Sequence, residues 1–190
     1  MLDQPQQPAP RSWKQKIRPV WETIEMIVTA LVLYFLIDSV IGRVQVQKIS
    51  MIPTLEPGEV LLVNKLAYTF GEIKNGDIIT FHYPLEPDLD YVKRVIGKPG
   101  DKVLIENETV WVNGNILYEP YISAAPEYNG NWQVPTDGLF VLGDNRNPSA
   151  DSHIWGFVPL ENVIGKVFAV YWPPNKIRGI STPTIFSQTQ

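Results

Sequence analysis

Residues 77–101 read DIITFHYPLEPDLDYVKRVIGKPGD. The stretch holds two short apolar runs, Asp77 to Tyr83 and Tyr91 to Ile96, and closes on the turn signal Pro99-Gly100-Asp101. Short runs rich in β-branched and aromatic residues, bounded by Gly, Pro, Asn and Asp, are the mark of strands. In the second run a period of two puts Tyr91, Lys93 and Val95 on one face and Val92, Arg94 and Ile96 on the other. One of Lys93 and Arg94 is therefore expected to face inward and the other to face water. The same pattern recurs at Glu59 to Val63, Lys102 to Ile105, Thr109 to Val112, Leu139 to Leu142 and Val163 to Trp172. Between these runs lie Pro57-Gly58, Asn75-Gly76, Asn113-Gly114 and Asp137-Gly138. Six or more such strands predict a mainly β domain, a barrel or a sandwich. Glu119 to Pro135 (EPYISAAPEYNGNWQVP) breaks the pattern and is expected to be a loop-rich insertion, a small cap on the β body.

Upstream the text changes. Residues 1–10 are polar and proline-rich, and Arg11, Lys14, Lys16 and Arg18 then precede a run from Thr23 to Gly42 whose only charges are Glu25 and Asp38. About twenty helical residues span about 30 Å, one hydrocarbon thickness. A buried helix of a soluble domain and a cleaved signal peptide are the alternatives. The length of the run, and Asp38 and Ile41 where small residues would precede a cut, favour an uncleaved signal anchor. Basic residues ahead of a span hold the N-terminus in the cytoplasm and send the chain beyond the span across the membrane. The expected order is a basic cytoplasmic leader (1–22), a transmembrane anchor (23–42), an extracytoplasmic β domain (43–175) and, past Pro173-Pro174, a loose tail (176–190).

Composition agrees with one packed domain plus an appendage. Of 190 residues, 44% are hydrophobic and only 19% charged, with 6 Trp, 8 Tyr and 7 Phe, too apolar and aromatic for a disordered chain. The 17 Pro and 13 Gly favour strands and turns over a helical bundle. Cysteine is absent, which excludes disulfides, thiolate zinc sites, iron–sulfur clusters and a Cys nucleophile. A formal charge of −4 argues against a nucleic-acid surface.

Most catalytic motifs can be dismissed. There are two histidines, His82 and His153, and no HExxH, GxSxG, P-loop or GxGxxG pattern. Asp144-Asn145-Arg146-Asn147 fails as a calcium loop, since Arg and Pro fall where ligands should. No metal and no cofactor is expected. Three segments remain unlike ordinary strand or turn text: Ile49 to Leu55 (ISMIPTL), Tyr91 to Asp101 (YVKRVIGKPGD) and Gly143 to Ser152 (GDNRNPSADS), the last continued by His153 to Pro159 (HIWGFVP). In this order, behind one N-terminal anchor, they closely resemble the type I signal peptidases, the bacterial leader peptidase family of Ser-Lys serine proteases. The resemblance runs from the anchor to about Pro173.

Taken alone, Ser50 reads as a turn serine, Lys93 as a solvated strand lysine and Ser149 as a turn residue after Pro148. The resemblance implies otherwise: Ser50 is the nucleophile, Lys93 the general base and Ser149 the hydroxyl that orients the lysine. Asp144, Arg146 and Asp151 match positions of the third motif that support the site through salt bridges and hydrogen bonds. The chemistry is coherent, because a serine hydroxyl needs a base to take its proton. Lysine can be that base only when neutral, and burial penalises its ammonium. The resemblance also implies a β-barrel-like catalytic domain of the signal peptidase/LexA-like type. The substrate would lie as a strand beside Val44 to Ser50 and Asp90 to Lys93, with Val44, Val46 and Val92 lining shallow pockets for small side chains.

Three positions depart from the family pattern: Lys48 where a serine commonly gives the second oxyanion donor, Pro148 for a frequent asparagine, and His153 for a frequent arginine. Lys48 is expected to point to water or to donate its ammonium to the oxyanion. A Ser-His-Asp triad through His153 is the lesser reading, and both histidines are expected to be structural. Ser50 lies eight residues past Gly42, which keeps it within about 30 Å of the bilayer surface at about 3.3–3.6 Å per residue. The expected partners are therefore the lipid bilayer and exported preproteins with A-x-A-like cleavage sites, in the plasma membrane or an equivalent bacterial-type membrane. The alternatives are a self-cleaving Ser-Lys protease of the LexA or UmuD kind and an inert, membrane-tethered β-domain that binds a partner.

Overall fold

The computed structural model describes residues 13–186, with side chains from residue 21 onward. Residues 1–12, most of the expected basic leader, and residues 187–190 lie outside the described residues, as do the side chains of Lys14, Lys16 and Arg18. The chain divides into two compact units, up to Ser39 and from Val40 onward.

The first unit is one helix, α1 (Trp13–Val40). Its stretch Trp21–Val40 is long and apolar enough to cross a membrane, and none of it is buried. The apolar run, expected to stay helical to Gly42, stops short of that. Ile41 and Gly42 already pair with Asn64 and Val63 as the start of a strand, β1 (Ile41–Gln45). Apolar text passes from helix to strand with no polar break, so hydropathy does not mark the boundary.

The second unit is mainly β. Its further strands are β2 (Val60–Asn64), β3 (Ile78–Tyr83), β4 (Glu86–Gly97), β5 (Lys102–Glu106), β6 (Thr109–Val112), β7 (Asn115–Ile116), β8 (Gly130–Gln133), β9 (Gly138–Leu142), β10 (Val158–Pro159), β11 (Val163–Trp172) and β12 (Arg178–Gly179), with a short helix α2 (Ser152–Trp155) after β9. An antiparallel sheet runs β1-β2-β11-β3-β4-β9-β10, with β12 beside β11, and is open at β1 and β10 among the described residues. A second sheet runs β7-β6-β5-β8.

Alternation along the strands builds a core on each face of the large sheet. Ile79, Phe81, Val95, Leu139 and Val141 pack on one side. On the other, Leu61, Val63, Ile78, Val167 and Val170 pack with Met51 and Leu55 from the β1–β2 connection. Further along, Ile96, Phe140 and Leu142 join Val103, Ile105, Val110 and Val112 of the small sheet. Gly97 lies where β4 leaves the large sheet, because a Cβ there would run into Val103, Val134 and Phe140.

This two-sided packing corrects the expectation for Lys93 and Arg94. Both are buried, at 3% and 2% exposure. The period of two holds, but neither face of β4 at this point is wet. Within the loop-rich stretch 119–135, β8 pairs with β5 as an edge of the small sheet. One further expectation needs correction. The tail is not loose over residues 176–186: Arg178 and Gly179 pair with β11, Ile185 is buried in the core, and Leu117 bridges to Phe186. Thr182 shares the buried carboxylate of Asp77 with Lys166, whose Nζ is 2.6 Å from it. Most of these contacts join residues well separated in sequence, which local pattern does not report.

Candidate active site

Three chain segments converge at the C-terminal part of β4. The first is the β1–β2 connection, where Ile52 and Leu55 donate backbone bonds to the Ile49 and Met51 carbonyls and wind the chain into turns. Burial of Met51 and Leu55 anchors those turns in the core and leaves Ser50 half-buried at their start. The second is β4 itself, carrying Lys93. The third is the segment from the end of β9 to α2, residues 143–152.

The third segment grips the first. The Asn145 N–H donates to the Ser50 carbonyl at 3.0 Å, and Asn145 Nδ2 donates to the Ile49 carbonyl at 3.1 Å. A Cβ on Gly143 would collide with both Ser149 Oγ and the Ser50 carbonyl oxygen. Ser50 and Ser149 thus approach one another across a position that only glycine can fill.

The second segment meets the third through Lys93, whose Nζ donates to Ser149 Oγ at 2.9 Å with both side chains buried. Burial pushes the Lys93 ammonium down to about 8. The Asp151 carboxylate opposes that fall, Lys48 adds to it, and Asp144 opposes it weakly. A lysine so placed is an uncharged amine over much of the alkaline range, hydrogen-bonded through a hydroxyl toward the Ser50 turn.

The remaining expected residues hold the segments in place. Asp151 caps α2 and accepts from the Gly143 N–H at 2.9 Å, and its other oxygen lies 2.5 Å from His153 Nδ1. Arg94 grips both oxygens of Asp144 at 2.7 and 2.6 Å, donates to the Gly76 carbonyl at 2.8 Å and stacks on Tyr121 at 3.9 Å. Arg146 donates to the Gly143 carbonyl at 3.1 Å and pairs with Glu119. Val46, Val44 and Val92 gather around the cluster that contains Met51, one residue past Ser50. His153 lies flat on Tyr128, centroids 3.8 Å apart, and His82 pairs with Asp90 at 2.9 Å on the exposed half of the β3–β4 hairpin. No group of three or more His, Asp or Glu gathers as a metal site among the described residues.

Three residues of this arrangement carry no signal of their role in the sequence. Gly143 and Asn145 sit in a distinctive segment, the second as part of a failed calcium loop, but their role depends on contact with a segment almost a hundred residues away. Tyr91 reads as an ordinary strand aromatic. Its ring faces Lys48 Nζ at 4.9 Å and Lys93 Nζ at 6.0 Å.

The family model "Signal peptidase, peptidase S26" matches residues 20–172. The chain belongs to this family. The signal peptidase match spans most of α1, all three converging segments and every site residue named above. The chain is 40% identical over 189 residues to Signal peptidase I of Leptolyngbya laminosa, covering 94% of this chain and 92% of that protein. It is 44% identical over 139 residues to Signal peptidase I of Bacillus caldolyticus, covering 65% and 75%. A solved signal peptidase I from Enterococcus faecalis V583 is 31% identical, covering 50% of this chain and 97% of that one, with a TM-score of 0.47.

Proposed function

We propose that this chain is a membrane-anchored serine endopeptidase that removes signal peptides from exported preproteins, with Ser50 as nucleophile and Lys93 as general base. Membership of the signal peptidase family supports the activity. The observation that carries the residue assignment is the buried Lys93–Ser149 pair held against the Ser50 turn.

Neutral Lys93 Nζ takes the proton of Ser50 Oγ as that oxygen attacks the carbonyl carbon of the scissile bond. The carbonyl oxygen becomes an oxyanion, which the Ser50 backbone N–H receives; one such donor is worth about 2.7–4 kcal/mol. Collapse breaks the C–N bond, and the Lys93 ammonium gives its proton to the departing amine. The signal peptide stays as an ester on Ser50. Water, losing a proton to Lys93, attacks that ester, and the proton returns to Ser50 Oγ on release. Ser149 keeps the lysine aimed, and Val44, Val46 and Val92 admit small substrate side chains. The N-terminus lies in the cytoplasm and the β unit on the far side of the membrane, an orientation supported by the basic residues before the apolar run.

The test is cleavage of a preprotein with an A-x-A-type signal by the detergent-solubilised protein beside Ser50→Ala and Lys93→Ala, with N-terminal sequencing of the product. Cutting at the expected junction by the wild type alone is the expected result. Equal cutting by all three would remove Ser50 and Lys93 from the chemistry. Failure of all three while folded would favour the inert binding domain.

A further inference from the structure

Lys48 lies two residues before Ser50, on an exposed part of the β1–β2 connection. Its side chain crosses to β4, where Nζ stands 3.3 Å from Tyr91 Oη and 4.9 Å from the Tyr91 ring centroid. Lys93 Nζ stands 6.0 Å from the same centroid. Both amines therefore lie within 6.0 Å of the centre of one aromatic ring. That ring is itself fixed, stacked on Tyr83 with centroids 4.5 Å apart and set edge-on to Phe81. A ring face attracts a cation and gives Lys48 a seat. Like charges around one ring oppose one another, and the cost of charge is unequal between the two lysines. Lys48 keeps its hydration, whereas Lys93 is sealed from water.

We infer that Lys48, seated on Tyr91, is a positioning cation of the catalytic centre that favours the uncharged, proton-accepting form of Lys93. The inference rests on the reading of Lys93 as the base. The charged groups around Lys93 make Lys48 matter. From the β9–α2 segment Asp151 and Asp144 both favour the ammonium of Lys93, and from β4 itself Arg94 is occupied with Asp144. Asp151 is shared with the Gly143 N–H and His153, Tyr91 stands beside Lys93 on its own strand, and Ser149 is neutral. Lys48, from the β1–β2 connection, opposes the two carboxylates. A serine at position 48 would leave burial alone to oppose them. Lys48 acts through Lys93, so its removal changes the pH at which the enzyme works more than the rate it reaches.

The test is the pH profile of kcat/KM for the wild type, Lys48→Ala, Lys48→Arg and Tyr91→Ala, with a preprotein as substrate. Loss of the cation lets Lys93 hold its proton to higher pH. Lys48→Ala is thus expected to lose about threefold at pH 7 and to match the wild type near pH 10. Lys48→Arg keeps charge and ring contact and is expected to follow the wild type, while Tyr91→Ala follows Lys48→Ala. Raising salt from about 0.05 to about 1 M screens an exposed charge and should close the gap. A second readout, free of turnover, is the pH dependence of Lys93 acylation by a small amine reagent in a Ser50→Ala background, followed by mass spectrometry. The same upward displacement is expected there on Lys48→Ala. An unmoved acid limb, an equal loss at every pH, or an arginine variant as impaired as alanine would overturn the inference. Activity retained by Lys93→Ala would instead overturn the reading of the base, and the acylation titration would still decide whether Lys48 acts on Lys93.

Discussion

Arg94 and Asp144 form a two-pronged ion pair, at 2.7 and 2.6 Å, with both side chains out of contact with water. It ties β4, next to Lys93, to the segment that carries Ser149. Removing one partner strands the other charge, so Asp144→Asn is expected to cost on the order of 3–5 kcal/mol. Urea unfolding of the purified protein measures it. Arg94→Lys, which cannot fork, should also be destabilised. An unchanged midpoint for both would mean that the pair contributes nothing to the fold.

Burial of Lys93 sets a stability profile as well as a reactivity. Its folded pKa of about 8 lies below the ordinary lysine value of 10.5. Between those limits the unfolded chain binds the proton and the folded chain does not, so stability rises with pH from about 8 to 10.5. Below that window the native state bears the full cost of the buried ammonium. Lys93→Met is inactive in the proposed mechanism but is expected to be more stable than the wild type at pH 7, by about 2–3 kcal/mol. That advantage should fade as pH is raised toward 10.5. Unfolding curves at pH 7 and 10 test it, and a constant difference would contradict it.

Gly143→Ala is expected to cut kcat by about a hundredfold or more, since its Cβ meets both Ser149 Oγ and the Ser50 carbonyl and pushes the two segments apart. The measurement is single-turnover cleavage alongside a thermal melt. A variant that cuts normally would show that the two segments need not be so close.

Ile185→Ala removes a buried side chain from the cluster beneath the small sheet and is expected to cost about 2–4 kcal/mol. Thr182→Ala breaks the hold on Asp77 and should act in the same direction with a smaller effect. Both are read by urea midpoint. Stability equal to the wild type in both would restore the expectation of a loose tail.

Much of this arrangement is legible in the chain text. The apolar run before Val40 and the seven strand-like runs are local signals, and β2, β3, β4, β5, β6, β9 and β11 fall on them. Ser50, Lys93 and Ser149 stand out because the segments around them do not read as ordinary strand or turn. Pattern is silent about what covers a surface. The alternation through Lys93 and Arg94 is regular, yet no rule of period two foretells that β9, the Ser50 turn and Tyr121 leave both buried. Gly130 to Gln133 become a strand only because β5 offers them an edge, and Ile185 is core only because Gly76 and Leu117 lie where the tail returns.

The order in which the three segments leave the ribosome has a consequence for the cell. Ser50 and Lys93 are both made early, but the glycine, asparagine and serine that join them come some fifty residues later, between Gly143 and Ser149. A nascent chain that ends at Leu142 carries the proposed nucleophile and base without the clamp that holds their segments together, and is expected to leave a preprotein uncut.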